Sequence, residues 1–130
     1  MKENLLTKDS LSEIFTLREE FMNALIKKIP DYYQKWPVDV STKQSQTALR
    51  DLITRGVEEI FEALQHLKNS KPHRETEITT FEKDEFLEEM VDAQNYFFST
   101  LILLGVTPQE FFEAYKNKHN KIMDRLKDGY

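Results

Sequence analysis

The chain has 130 residues, 39% hydrophobic and 32% charged, and its 18 Lys and Arg against 23 Asp and Glu give a formal net charge of −5. That length suits a single domain spanning residues 1–130, and the acidic balance lacks the electrostatic footprint of a nucleic-acid binder. The absence of cysteine excludes disulfides, thiolate zinc sites and cysteine nucleophiles together. Only three Gly and four Pro interrupt the chain, so long regular elements are expected. The opening Met1-Lys2-Glu3-Asn4-Leu5-Leu6-Thr7 has no apolar core of the signal-peptide kind, and the apolar run Leu101–Val106 is too short to span a membrane. A soluble, cytoplasmic, all-α protein is the expectation, with four to five helices packed as a bundle.

Four helices follow from the pattern. The first starts near Ser10, where Ser10-Leu11-Ser12-Glu13 reads as a capping box, and its apolar positions continue through Ile14, Phe15, Leu17, Phe21, Met22, Leu25, Ile26 and Ile29 until Pro30. An aromatic linker, Asp31 to Pro37, and a polar stretch, Ser41 to Ser45, precede a second helix over about Thr47 to Leu67. Residues 68–83 form a polar connector without periodicity, long enough to be a functional loop that orders on binding. The third helix covers about Asp84 to Leu104 and ends at Gly105. The fourth opens on Thr107-Pro108-Gln109-Glu110, with an N-cap residue, Pro at the first helical position and an acid three on, and reaches about Leu126.

Two of these helices carry rows of carboxylates. At about 100° per residue, Arg55, Glu59, Glu62 and His66 fall on one line of the second helix, with Glu58 just off it. Leu49, Leu52, Ile53, Val57, Ile60, Leu64 and Leu67 occupy the adjoining arc. On the third helix, Glu85, Glu88, Glu89, Asp92, Asn95 and Ser99 share an arc, while apolar residues from Phe86 to Leu104 cover most of the remainder. A helix that apolar is expected to be buried, and carboxylates on it repel one another and lose hydration unless a cation compensates. Oxygen donors without Cys or paired His favour Mg²⁺, Mn²⁺ or Ca²⁺ over zinc. A solvated acidic face is the competing reading of the same residues. The Glu-x-x-His signature of di-iron bundles is absent: His66, His73 and His119 follow Ala63, Ser70 and Lys116 at that spacing.

Glu58-Glu59-Ile60-Phe61-Glu62, followed by Glu89-Met90-Val91-Asp92, resembles the EExxE…ExxD pattern of the all-α nucleoside triphosphate pyrophosphatases. That superfamily includes MazG-type enzymes and dimeric dUTPases, and the dimeric dUTPases with their phage dCTPase/dUTPase relatives are the nearest in pattern. Leu103-Leu104-Gly105-Val106, Phe111-Phe112-Glu113-Ala114-Tyr115, Lys118 with Arg125, and Gly129-Tyr130 extend the likeness over roughly Leu49 to Tyr130. The resemblance implies a dimeric helical bundle, or a dimer of dimers. The implied activity is Mg²⁺-dependent (Mn²⁺ a possible substitute) cleavage of a deoxynucleoside triphosphate to monophosphate and pyrophosphate. It makes Glu59, Glu62, Glu89 and Asp92 the metal ligands, with Glu59 and Glu58 at the catalytic centre and Glu58 a candidate for holding the attacking water. Lys118, Arg125 and Tyr130 would approach the phosphates.

The pattern also departs from that family. Registered on Lys118 and Arg125, the dimeric dUTPase K-N-x-x-N-x-x-R places His119 and Ile122 where Asn is expected; Asn95 stands where relatives often carry His. The uracil-side L-Q-x-x-L-N becomes Leu17-Arg18-Glu19-Glu20-Phe21-Met22, with Asn23 one place late. The likeness therefore carries the metal site further than the base. Expected substrates are dUTP first and dCTP next, with a purine dNTP as the runner-up and a non-catalytic helical cation-binding interaction protein as the reading from another class. Arg55 is either a phosphate ligand or a salt-bridge partner of the carboxylates, Trp36 either stacks a base or anchors the linker, and Asn95 either contacts the nucleoside or satisfies a buried group.

Overall fold

The computed structural model describes residues 9–67, 73 and 83–129, and its described elements are four α-helices: α1 Ser10–Lys28, α2 Lys43–Leu64, α3 Lys83–Leu103 and α4 Pro108–Lys127. Among the described residues there is no strand, and no helix is long and apolar enough to cross a membrane. Tyr130 and nearly all of the 68–83 connector lie outside the described residues. The chain groups into two compact units, residues 9–37 with 101–129, and residues 38–67 with 83–100.

In the first unit, α1 begins one residue earlier in its logic than the capping box implies. Asp9, not Ser10, is the N-cap: its carboxylate accepts from the Ser12 amide at 2.8 Å and from the Ser12 hydroxyl at 2.9 Å. These hydrogen bonds hold the Asp9 carboxyl below its ordinary pKa. The helix closes at Ile29, whose amide donates to the Leu25 carbonyl at 2.9 Å, and Pro30 follows. Phe15 and Met22, two turns apart, are its buried residues, and the Phe15 ring meets Phe111 of α4 at 6.5 Å between centroids. At the far end of α3, Gly105 takes φ +78°; its amide donates to Ile102 and the Val106 amide to Leu101, the paired bonds of a Schellman stop. A side chain there would also meet Pro37 at 3.0 Å, so both conformation and space require glycine. Thr107 then caps α4 by accepting from the Glu110 amide at 3.0 Å, as its sequence predicts.

In the second unit, α2 starts at Lys43, four residues before the expected Thr47, and ends at Leu64 rather than Leu67. The polar stretch read as linker is its cap and first turn, because the Thr42 hydroxyl accepts from the Ser45 amide at 3.1 Å. Apolar periodicity could not reveal a first turn made of Lys, Gln and Ser. Thr42→Ala is expected to cost about 0.5–2 kcal/mol, read from the urea midpoint; an unchanged midpoint would return the helix start to Thr47.

The uniform burial expected of α3 is corrected. Ala93, Ser99, Thr100, Ile102 and Leu103 are buried, but Leu87 and Val91 are 47% and 55% exposed. Their apolar character marks a surface left open among the described residues.

Candidate metal centre

The centre lies within the second unit, where α2 and α3 approach closely. A methyl group added at Gly56 would lie 3.0 Å from Cζ of Phe97 and 3.2 Å from the Ala93 carbonyl oxygen, so the α2 backbone sits tightly against α3. Sequence inspection does not single out Gly56, although a glycine inside a strong helical pattern is the signal of such an approach. One turn along α2 comes Glu59, and Asp92 directly precedes Ala93 on α3. Close approach of the backbones thus brings the two carboxylate rows together.

Glu59, Glu89 and Asp92 each offer an oxygen, and these oxygens all lie within 4.8 Å of one another. Donors on one Mg²⁺ octahedron with bonds of about 2.1 Å stand roughly 3.0 to 4.2 Å apart, so small side-chain rotations suffice to close the set on an ion. Glu59 and Glu89 are partly buried and Asp92 is exposed. Burial, and then the negative charges of Glu62, Asp92 and Glu89, push the Glu59 carboxyl above its ordinary pKa, and a hydrogen bond that the protonated Glu59 donates to Glu62 acts in the same direction. Glu62, the fourth expected ligand, therefore borders the cluster through Glu59 and is itself exposed.

The other expected site residues fall in different places. Glu58 and Arg55 are exposed on α2, and among the described residues Arg55 has no ion pair or hydrogen bond. Asn95 is partly buried one turn beyond Asp92 on the same arc of α3. His66, at the end of the α2 line, meets the Phe86 ring edge-on at 6.4 Å. Lys118 and Arg125 are exposed on α4, in the first unit, and Tyr130 lies outside the described residues. Trp36, also in the first unit, donates its indole N–H to Glu19 of α1 at 2.8 Å and stands edge-on to Tyr33 at 6.3 Å. That contact ties the linker to α1, and Glu19, 17 residues away, has no signature in sequence as its partner.

The arc of α3 carrying the carboxylates changes along its length. Glu85 and Glu88 are exposed, Glu89 and Asn95 partly buried, and Ser99 completely buried. A cation bound at the three converging oxygens would relieve the mutual repulsion at the partly dry Glu59 end of the cluster. No family model, curated protein or solved structure matches the chain.

Proposed function

We propose that the chain is a Mg²⁺-dependent deoxynucleoside triphosphate pyrophosphohydrolase, releasing monophosphate and pyrophosphate. The observation that carries the reading is the convergence of Glu59, Glu89 and Asp92 from two helices, at the spacings of the EExxE…ExxD pattern. In this reading Glu59, Glu89 and Asp92 hold the metal and Glu62 completes the set through its contact with Glu59. When bound, Mg²⁺, or Mn²⁺ in its place, would neutralise triphosphate charge and lower the pKa of a coordinated water. Glu58 orients the attacking water, and exposed Arg55, on the Glu59–Glu62 line, takes a phosphate oxygen. Lys118, Arg125 and Tyr130 supply further phosphate contacts by resemblance, and Asn95 and Trp36 are the residues offered to the nucleoside. Substrates are dUTP first and dCTP next; the protein works in the cytoplasm as a homodimer or dimer of dimers, without nucleic-acid partners.

Each dNTP incubated with Mg²⁺ and the protein decides the matter. Pyrophosphate and dNMP from dUTP or dCTP are expected. Turnover of dATP or dGTP alone would move the substrate class to purines, and orthophosphate would point to a different phosphohydrolase. Absence of turnover across the panel, with Mg²⁺ still bound, would favour the cation-binding interaction protein.

A further inference from the structure

Helix α4 buries none of its 20 residues, yet its apolar and charged groups are sorted by face. At about 100° per residue, Phe112, Tyr115, Ile122, Met123 and Leu126 fall on one arc with His119 among them, and all are exposed, Tyr115 by 68%. Lys116 and Lys127 flank that arc on one side, and Lys118 and Arg125 on the other. Glu110, Glu113 and Asp124, the acids of the helix, lie on the opposite face together with Lys121. Charge is segregated along the chain as well. Residues 116–127 hold five Lys and Arg against one Asp, a net +4, so all other residues together carry −9 to give the chain its −5.

Lys116 shows how a flanking cation meets the arc. Its Nζ stands 5.0 Å from the Phe112 ring centroid, and its 3.3 Å ion pair with Glu113 is exposed, of the kind worth little in water and readily exchanged. An apolar strip with cations along both edges and acids turned away complements an apolar layer beneath an anionic plane. Each edge then reaches lipid phosphate while the side chains between enter the acyl boundary. A protein ridge would need carboxylates along both of its sides to match this strip, and a second α4 would set lysines against lysines. The acidic remainder of the chain opposes approach only weakly, because charges more than about 8 Å away are screened at physiological salt.

We propose that α4 docks in the plane of an anionic lipid surface, its Phe112–Leu126 arc inserted and its Lys and Arg edges on the headgroup phosphates. The helix lies on the membrane and does not span it. Docking rests on α4 alone and holds whether or not the carboxylates bind a metal.

The test is sedimentation with phosphatidylcholine vesicles containing about one-third phosphatidylserine. The protein is expected to pellet with these vesicles, to stay in solution with pure phosphatidylcholine, and to be released when salt shortens the screening length to about 3 Å. The edge is probed at Lys116 and Lys127, which are not among the residues offered to substrate phosphate. Lys116→Gln with Lys127→Gln is expected to weaken partitioning roughly 30-fold, about fivefold for each cation. Ile122→Ser with Leu126→Ser is expected to abolish it with helical circular dichroism unchanged, since neither side chain is buried. Because the chain has no cysteine, single labels can be placed at Met123→Cys on the arc and Asn117→Cys on the far face. An environment-sensitive dye at Met123→Cys should shift to the blue on adding anionic vesicles and be quenched by nitroxide lipids, while the Asn117→Cys label should not respond. Failure to pellet, equal pelleting with both lipids, indifference to either pair of substitutions, or an equal response of the two labels would overturn the proposal. So would a Met123→Cys label already shielded before lipid is added, which would assign the arc to a protein partner.

Discussion

Glu59→Gln is expected to raise the stability of the metal-free protein and to abolish both turnover and stabilisation by Mg²⁺. The two effects have opposite signs because the same carboxylate is a burden without a cation and a ligand with one. Burial and the neighbouring carboxylates raise the folded-state pKa of Glu59 above its unfolded value. Its contribution to stability is therefore fully present below the ordinary glutamate pKa and is lost as pH rises through the raised folded value. Once ionised, the group is a net cost, which the isosteric amide removes. Metal-free wild type should consequently gain stability as pH falls through the raised Glu59 pKa, and Glu59→Gln should lack that slope. Asp9 and Asp39 act oppositely and lower down: serine hydrogen bonds depress their pKa values, so their contributions are lost as pH falls through the depressed folded values.

With Mg²⁺ at 100 times its dissociation constant, wild type should gain about 2.7 kcal/mol, seen as a rise of several degrees in melting temperature. Glu59→Gln and Asp92→Asn should show almost none of it. Loss of turnover should be roughly 100-fold or more in either variant, with the helical circular dichroism unchanged. Calorimetric melts across pH, with and without Mg²⁺, separate the outcomes. Full activity and an undiminished Mg²⁺ shift in Asp92→Asn would remove that residue from the site.

The second large effect is expected at Gly56. Alanine there adds one methyl, 3.0 Å from the end of the Phe97 ring and 3.2 Å from the Ala93 carbonyl. The ring can move and the backbone carbonyl cannot do so cheaply, but alanine also gains about 1 kcal/mol of helix propensity over glycine. The two terms are of similar size, so Gly56→Ala should lie near wild type. Valine has no such compensation, being β-branched and larger, and should cost about 1–3 kcal/mol through overpacking. Because the same contact sets the distance between the carboxylate rows, Gly56→Val should also weaken Mg²⁺ affinity, measured by titration calorimetry. A valine variant as stable as wild type would mean that the α2–α3 approach is looser than the geometry indicates.

Much of this architecture is legible from residue order alone. The strong 3.6-residue periods mark four helices, and Gly105, Thr107 and Pro108 mark the α3–α4 boundary because each answers a purely local demand of backbone or cap. The start of α2 is hidden, since Thr42 to Gln46 is polar and carries no period. Each carboxylate row is visible on its own helix. That Glu59, Glu89 and Asp92 meet while Glu62 stands at the edge depends on how α2 and α3 approach, a long-range property with only Gly56 as its local trace. The exposed apolar arcs of α2, α3 and α4 were equally invisible as such, because hydropathy tells which faces want cover and not whether the same chain supplies it.

The graded burial along α3 bears on the kinetics of the proposed ion site. A hydrated cation reaching the site past exposed Glu85 and Glu88 would shed part of its water only at partly buried Glu59 and Glu89. Exposed Asp92 leaves one flank of the cluster accessible. An ion held there would remain exchangeable, arriving and leaving with each substrate, rather than being sealed in as a permanent brace of the fold.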